Sequence, residues 1–409
     1  MVQMISKYLK MDYDISQLEE LSQILLTEKE DPEKLHYSFI GLRKLLSLNV
    51  DTPIQAVIDL NLPQKLIEFM DCEKYPHLIL EATWCCCNIS TGTSSQIQRL
   101  IDKGLVPKLI RLLYCNSGEI YEQAAWCVAN IAADCGKFKN ILIHSGCVVP
   151  LADKILQTND LQIIKNSTWS LANVCRGKNS YNQELAPAAK AFIKVIMAIE
   201  DLETVSDALM GLSDVMNEAV INTITDSPIL PKMKEYCKYD QRAIQLPLLR
   251  IVAFVTNGTD EQTQKVIDTG FLDEFFKLLA NPKQDKRIVK EILWIVSNIS
   301  IGTVDQIDAT IVKEDRYQLI LKYALGDNVE LKKEAVWSIC NATKNATEDQ
   351  IEYMVNQNLL DLFSELLVLT QKEEILLTIL EALNFVFKKA KYNEVMESNP
   401  FIEKVITNG

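Results

Sequence analysis

Tryptophan followed four residues later by asparagine recurs through this chain at a nearly constant interval. The pairs Trp84/Asn88, Trp126/Asn130, Trp169/Asn173, Trp294/Asn298 and Trp337/Asn341 use all five tryptophans of the 409 residues. Four residues is about one helical turn, so the members of each pair share a helix face. Successive tryptophans lie 42, 43 and, after a longer gap, again 43 residues apart. The gap between Trp169 and Trp294 spans 125 residues, and degenerate copies fill it: Met210/Asp214 and Arg250/Phe254 stand in the two places.

A helical unit of roughly 40 to 47 residues is the signature of an armadillo or HEAT solenoid, whose units bury their apolar faces against one another. The expected fold is therefore all-α, an armadillo-type right-handed superhelical solenoid of about nine three-helix repeats. Residues 1–50 hold two amphipathic stretches without a Trp/Asn pair and read as a capping first repeat. Residues 51–391 hold the repeats that carry the binding face, and 392–409 form a truncated last fragment. Within a repeat, a short helix should turn into a middle helix at Asn61, Gly104, Gly146, Gly270 or Asn358, residue types that tolerate a left-handed backbone. A long third helix then carries the pair.

Bulk properties narrow the function classes. Forty-two basic against 55 acidic residues give a net charge of −13, which argues against nucleic acid and anionic membrane and for a basic partner. No apolar run approaches the roughly 20 residues of a membrane span, and the first residues do not read as a secretory leader. Eleven cysteines without a Cys-x-x-Cys pair and three scattered histidines predict neither metal nor disulfide framework, so no cofactor is expected. Cys85, Cys86 and Cys87 read as small packing residues, like Cys127 and Ser170 in the neighbouring copies. No nucleophile and base, metal cluster or phosphate loop stands out, and no enzymatic activity is expected.

A repeated asparagine beside a repeated tryptophan suits an open groove better than a core, because an unpartnered buried amide costs on the order of 1 to 3 kcal/mol. An amide both donates and accepts, so it can hold the backbone of an extended peptide whatever its side chains. Indoles in a row leave slots for the stems of Lys or Arg and attract their cationic heads, worth about 0.5 to 2 kcal/mol per contact. The chemistry read here is recognition of an extended Lys/Arg-rich segment.

The stretches EATWCCCNISTGTSSQ, YEQAAWCVANIAAD, TWSLANVCRGK, NGTDEQTQKVIDTG, KEILWIVSNISIG and KKEAVWSICNAT resemble, in order, the repeats of importin-α, the nuclear import adaptor family. The resemblance implies binding of proteins bearing basic nuclear localisation signals, at a major and a minor site, by a monomer that shuttles between cytoplasm and nucleus. It implies a major site of Trp84, Asn88, Gly92, Gln123, Trp126, Asn130, Asp134, Trp169 and Asn173. The minor site would comprise Arg250, Asp260, Thr263, Glu291, Trp294, Asn298, Glu334, Trp337 and Asn341. Ile97 stands where the family has a threonine, and Met210, Asp214 and Phe254 interrupt the ladder, so two separated binding segments are expected. The family's basic N-terminal segment is not evident, since only Lys7 and Lys10 are basic in the first twenty residues. Importin-β would thus be a partner only if such a segment exists outside this chain, and the short C-terminus leaves the family's export receptor open. The alternative is an armadillo scaffold of the cell-adhesion or cytoskeletal kind.

Overall fold

The computed structural model describes residues 13–177, 182–313, 315–369 and 372–389, together with residue 402. Every regular element among them is helical. Lys7, Lys10 and, apart from Ile402, the expected fragment 392–409 lie outside the described residues. Contacts divide the chain into two units, Met1–Val215 and Met216–Gly409.

Among the described residues, the last helix of each repeat forms a series: in the first unit α1 (Pro32–Leu45), α2 (Pro76–Ile89), α3 (Gly118–Asp134), α4 (Leu161–Cys175) and α5 (Leu202–Asp214), and in the second α6 (Arg242–Thr256), α7 (Lys286–Ser300), α8 (Val329–Asn345) and α9 (Glu373–Lys389). Each packs on the next within its unit. Small residues just after the tryptophan place allow the approach. Ser170 Oγ donates to Ala125 O at 2.7 Å, Ser338 Oγ to Leu293 O at 3.1 Å, and Cys85 Sγ to Phe39 O at 3.9 Å. Cys85 and Cys86 are fully buried, and that burial pushes their thiols well above the usual range, as suits packing residues.

The shorter helices obey equally local chemistry. All five expected corners are left-handed: Asn61 (φ 58°), Gly104 (87°), Gly146 (85°), Gly270 (81°) and Asn358 (69°). A Thr-x-x-Gln capping box opens the first helix at Thr93/Gln96, Thr259/Gln262, Thr303/Gln306 and Thr347/Gln350. The same glutamines reach back one repeat, Gln96 to Gln55 at 3.1 Å, Gln262 to Asn222 at 2.8 Å, Gln306 to Asp260 O at 2.8 Å and Gln350 to Val304 O at 2.9 Å. One side chain thus caps its own helix and ties it to the preceding repeat.

Two repeats depart from the three-helix plan. In the fourth full repeat one helix, Asn182–Ala198, runs through Pro187 where two were expected. In the seventh, the short helix Val304–Ile307 continues into a π-turn at Asp308–Val312 before the helix Arg316–Ala324.

Candidate peptide-binding grooves

None of the five tryptophans is buried: Trp126 is 47% exposed and the other four are half-buried. A core reading of the tryptophans therefore fails on accessibility.

The asparagines are anchored. Asn88 Nδ2 donates to Arg43 O at 3.3 Å and Ser47 Oγ at 2.9 Å, Asn130 Nδ2 to Cys87 O at 3.3 Å, Asn298 Nδ2 to Ala253 O at 3.3 Å, and Asn341 Nδ2 to Ser297 O at 3.2 Å. Each bond crosses to the long helix of the preceding repeat or, for Ser47, to the turn just after it, so the amide is engaged before any ligand arrives. It fixes the amide plane and leaves Oδ1 without a protein partner among the described residues, ready to accept a peptide N–H. Asn173 differs, since it is 3% exposed and its Nδ2 bonds Trp169 O of its own helix at 3.0 Å.

In the first unit the tryptophan row does not present equal slots. The Arg43 guanidinium lies over the Trp84 ring, 4.1 Å from its centroid, held by Glu81 at 2.5 Å. Trp126 and Trp169 meet edge to face at 5.9 Å, closing the space expected between them. An opening of about 270 Å³ lies beside that pair, lined by Gln162, Lys165, Asn166, Glu203, Thr204 and Asp207 as well as the two indoles. Burial and the neighbouring Glu203 push the Asp207 carboxyl up to about 6, against the pull of Arg176. A carboxylate held there at a desolvation cost is a ready acceptor for an arriving ammonium. Lys165 does not neutralise it, being engaged with Asp201 at 2.9 Å.

The remaining first-unit candidates fall in two groups. Asp134 is exposed and accepts from Ser94 Oγ at 3.1 Å, and Gln123 is half-buried. Gly92 has a structural reason to be glycine: a Cβ would collide with the Gln96 side-chain oxygen of the capping box, as it would at Gly258 and Gly302. Ile97 is 1% exposed and belongs to the core.

In the second unit Arg250, in a tryptophan place, reaches the Glu291 carboxylate of the next repeat at 3.6 Å. Lys333 lies over the Trp337 ring at 4.5 Å and pairs with Glu374 at 3.0 Å. Burial raises the Glu291 and Glu334 carboxyls, against Arg250 in the first case and Lys290 and Lys333 in the second. Glu334 Oε2 and Trp337 Nε1 are buried atoms with no hydrogen-bond partner among the described residues. An acceptor and a donor thus stand unsatisfied on one helical turn. Asp260 is exposed, whereas Thr263 is 4% exposed and its hydroxyl donates to Thr256 O at 3.4 Å.

Two positions escaped the sequence argument although the register holds them. Three residues before each tryptophan place stand Glu81, Gln123, Asn166 and Asp207, so Asn166 and Asp207 occupy the place recognised at Gln123, Glu291 and Glu334.

A family model described as "Armadillo/beta-catenin-like repeat" matches residues 93–133. Among curated proteins, the chain is 35% identical over 255 residues to "Importin subunit alpha-1b" of Oryza sativa subsp. japonica, a match covering 62% of this chain and 47% of the relative. "Importin subunit alpha-1a" of the same organism is 33% identical over 273 residues, covering 66% and 51%. "Importin subunit alpha-8" of Arabidopsis thaliana is 26% identical over 376 residues, covering 91% and 82%. The chain spans about half the length of the first two relatives. Among solved structures, an engineered protein shares the fold with a TM-score of 0.78 at 22% identity, covering 96% of this chain and 92% of that one. The chain is an armadillo-repeat protein related to the importin α subunits.

Proposed function

We propose that this chain is the cargo-binding part of a nuclear import adaptor, taking Lys/Arg-rich nuclear localisation signals as extended peptides along its Trp/Asn ladders. The observation that carries the reading is the half-exposed indoles beside asparagine amides that are oriented by the preceding repeat and keep Oδ1 open. The relatives named importin subunits alpha support the adaptor role, and with it passage between cytoplasm and nucleus. First-unit residues from Trp84 to Asn173, with Glu203 and Asp207, would form the major site. Second-unit residues from Arg250 to Asn341 would form the minor one. The function is binding, without catalysis.

Because Arg43, Lys333 and the Trp126/Trp169 contact already use indole faces, cargo binding on this reading exchanges internal contacts for external ones. Titration with a fluorescent lysine-rich peptide tests it, beside the same peptide with alanine for lysine. Sub-micromolar to micromolar binding that vanishes with the alanines is expected; no binding at low salt by the folded chain refutes the reading and leaves an armadillo scaffold of another kind.

A further inference from the structure

We propose that Lys333 fills, from within the protein, a cation slot that would otherwise lengthen the second unit's groove by one step, and that it thereby sets the length of the basic run this groove reads. The inference rests on the peptide-binding reading above. The Lys333 ammonium lies 4.5 Å from the centroid of the Trp337 ring and 3.0 Å from the Glu374 carboxylate of α9, so it stands between that indole and the next helix. Lys290 precedes Trp294 by four residues, as Lys333 precedes Trp337, and makes the corresponding bond one repeat earlier, to Glu330 of α8 at 3.0 Å. Among the described residues, however, no cation lies over the Trp294 ring. Two lysines alike in register and in their acid partner thus differ in one contact: Trp294 keeps its ring open, and Trp337 has a face taken.

The gap between α8 and α9 has what a lysine needs. A step of 44 residues carries Glu330 to Glu374, and the buried Leu331, Ala335 and Ala342 of α8 to the buried Ile375, Ile379 and Val386 of α9; the same step carries Trp337 to Glu381. Glu381 is exposed, and its charge is felt on α8, where it adds to the rise that burial imposes on the Cys340 thiol against the pull of Lys344. An indole face on one side and the Glu374 and Glu381 carboxylates on the other suit an ammonium. Lys333 already supplies it. A cargo lysine entering there exchanges one cation for another on the same ring and the same acid, with no net gain. Without Lys333, the ring face, Glu374 and Glu381 stand open to the next cargo lysine. Neighbouring helices sit about 8 to 10 Å apart, and an extended peptide rises about 3.3 to 3.6 Å per residue. That lysine therefore falls about two to three positions beyond the one held at Trp337.

The test uses the full chain with Trp126→Ala and Asn130→Ala, so that the second unit reports. Anisotropy titrations at fixed salt compare a lysine-rich core peptide extended by lysine with the same core extended by alanine, at the second and third positions beyond the core and at either end in separate peptides. With Lys333 in place, the two extensions are expected to bind equally. Lys333→Ala, or Lys333→Gln should alanine unfold the chain, is expected to make the lysine extension about 3- to 10-fold tighter than alanine at one end. Lys333→Arg keeps a cation on the ring and should keep the extensions equal. Lys290→Ala removes the same charge and frees Glu330 as the first variant frees Glu374, so it controls for the field of the groove and should also leave them equal. Binding of the core peptide certifies the fold of each variant. A preference that loss of Lys333 does not create, one that Lys290→Ala creates as strongly, or one of that size already present beside Lys333 overturns the proposal. A core peptide that binds only the chain with Trp126 and Asn130 intact removes the second unit's site together with this slot, and one that binds neither chain removes the groove reading itself.

Discussion

Binding of a basic peptide beside Asp207 should tighten as pH rises from 5 to 7, and the structure sets the size of the effect. The free carboxyl sits at about 6, raised from its ordinary 3.8 chiefly by burial. A lysine ammonium brought against it favours the charged form and returns the group toward its ordinary range, so binding releases a proton between the two values. With values of about 6 free and 4 bound, affinity falls about ninefold between pH 7 and pH 5. Asp207→Asn removes this slope. Anisotropy titrations at pH 5, 6 and 7, at constant ionic strength, measure it in both proteins. A wild-type affinity that does not change with pH, or an equal slope in the Asn variant, refutes the reasoning. The sign for the unliganded fold is opposite. A carboxyl raised on folding stays protonated while its unfolded counterpart ionises, so it costs stability as pH climbs from about 4 through 6. Asp207→Asn should therefore raise the melting temperature at pH 7 while weakening peptide binding.

Trp126→Ala should cost about 1 to 3 kcal/mol of peptide binding with little change in melting temperature, because the indole is 47% exposed; calorimetry on the same sample separates the two. Glu81→Ala should destabilise the fold by about 3 to 5 kcal/mol in urea denaturation, since it strands the Arg43 guanidinium, 8% exposed, in a buried site. Gly104→Ala should cost about 1 to 2 kcal/mol in thermal unfolding even though nothing lies within 4 Å of the added methyl, because the strain is that of φ 87° alone.

The 42- to 43-residue register of Trp and Asn was enough to specify a helical repeat protein. The five left-handed corners followed from Gly and Asn at the ends of short helices. These features are local: propensity, capping and turn chemistry act within a few residues, and the period repeats them. The half-exposed tryptophans were legible for the same reason, since a buried Asn beside each would have needed its own partners.

Only the tertiary structure decided how the ladder is used inside the protein. That the Asn130 amide is oriented by Cys87 O of the previous repeat, that Arg43 covers Trp84, and that Trp126 closes on Trp169 depend on side chains some 40 residues apart meeting in space. Asp207 gains its meaning the same way. In sequence it is one acid among 55, and the desolvation that raises its carboxyl comes from the walls α4 and α5 build around it. Residue types and their spacing determined which faces could form a groove; packing between repeats determined which of its donors, acceptors and ring faces are open, because desolvation and hydrogen-bond satisfaction are properties of neighbours that the chain brings together only on folding.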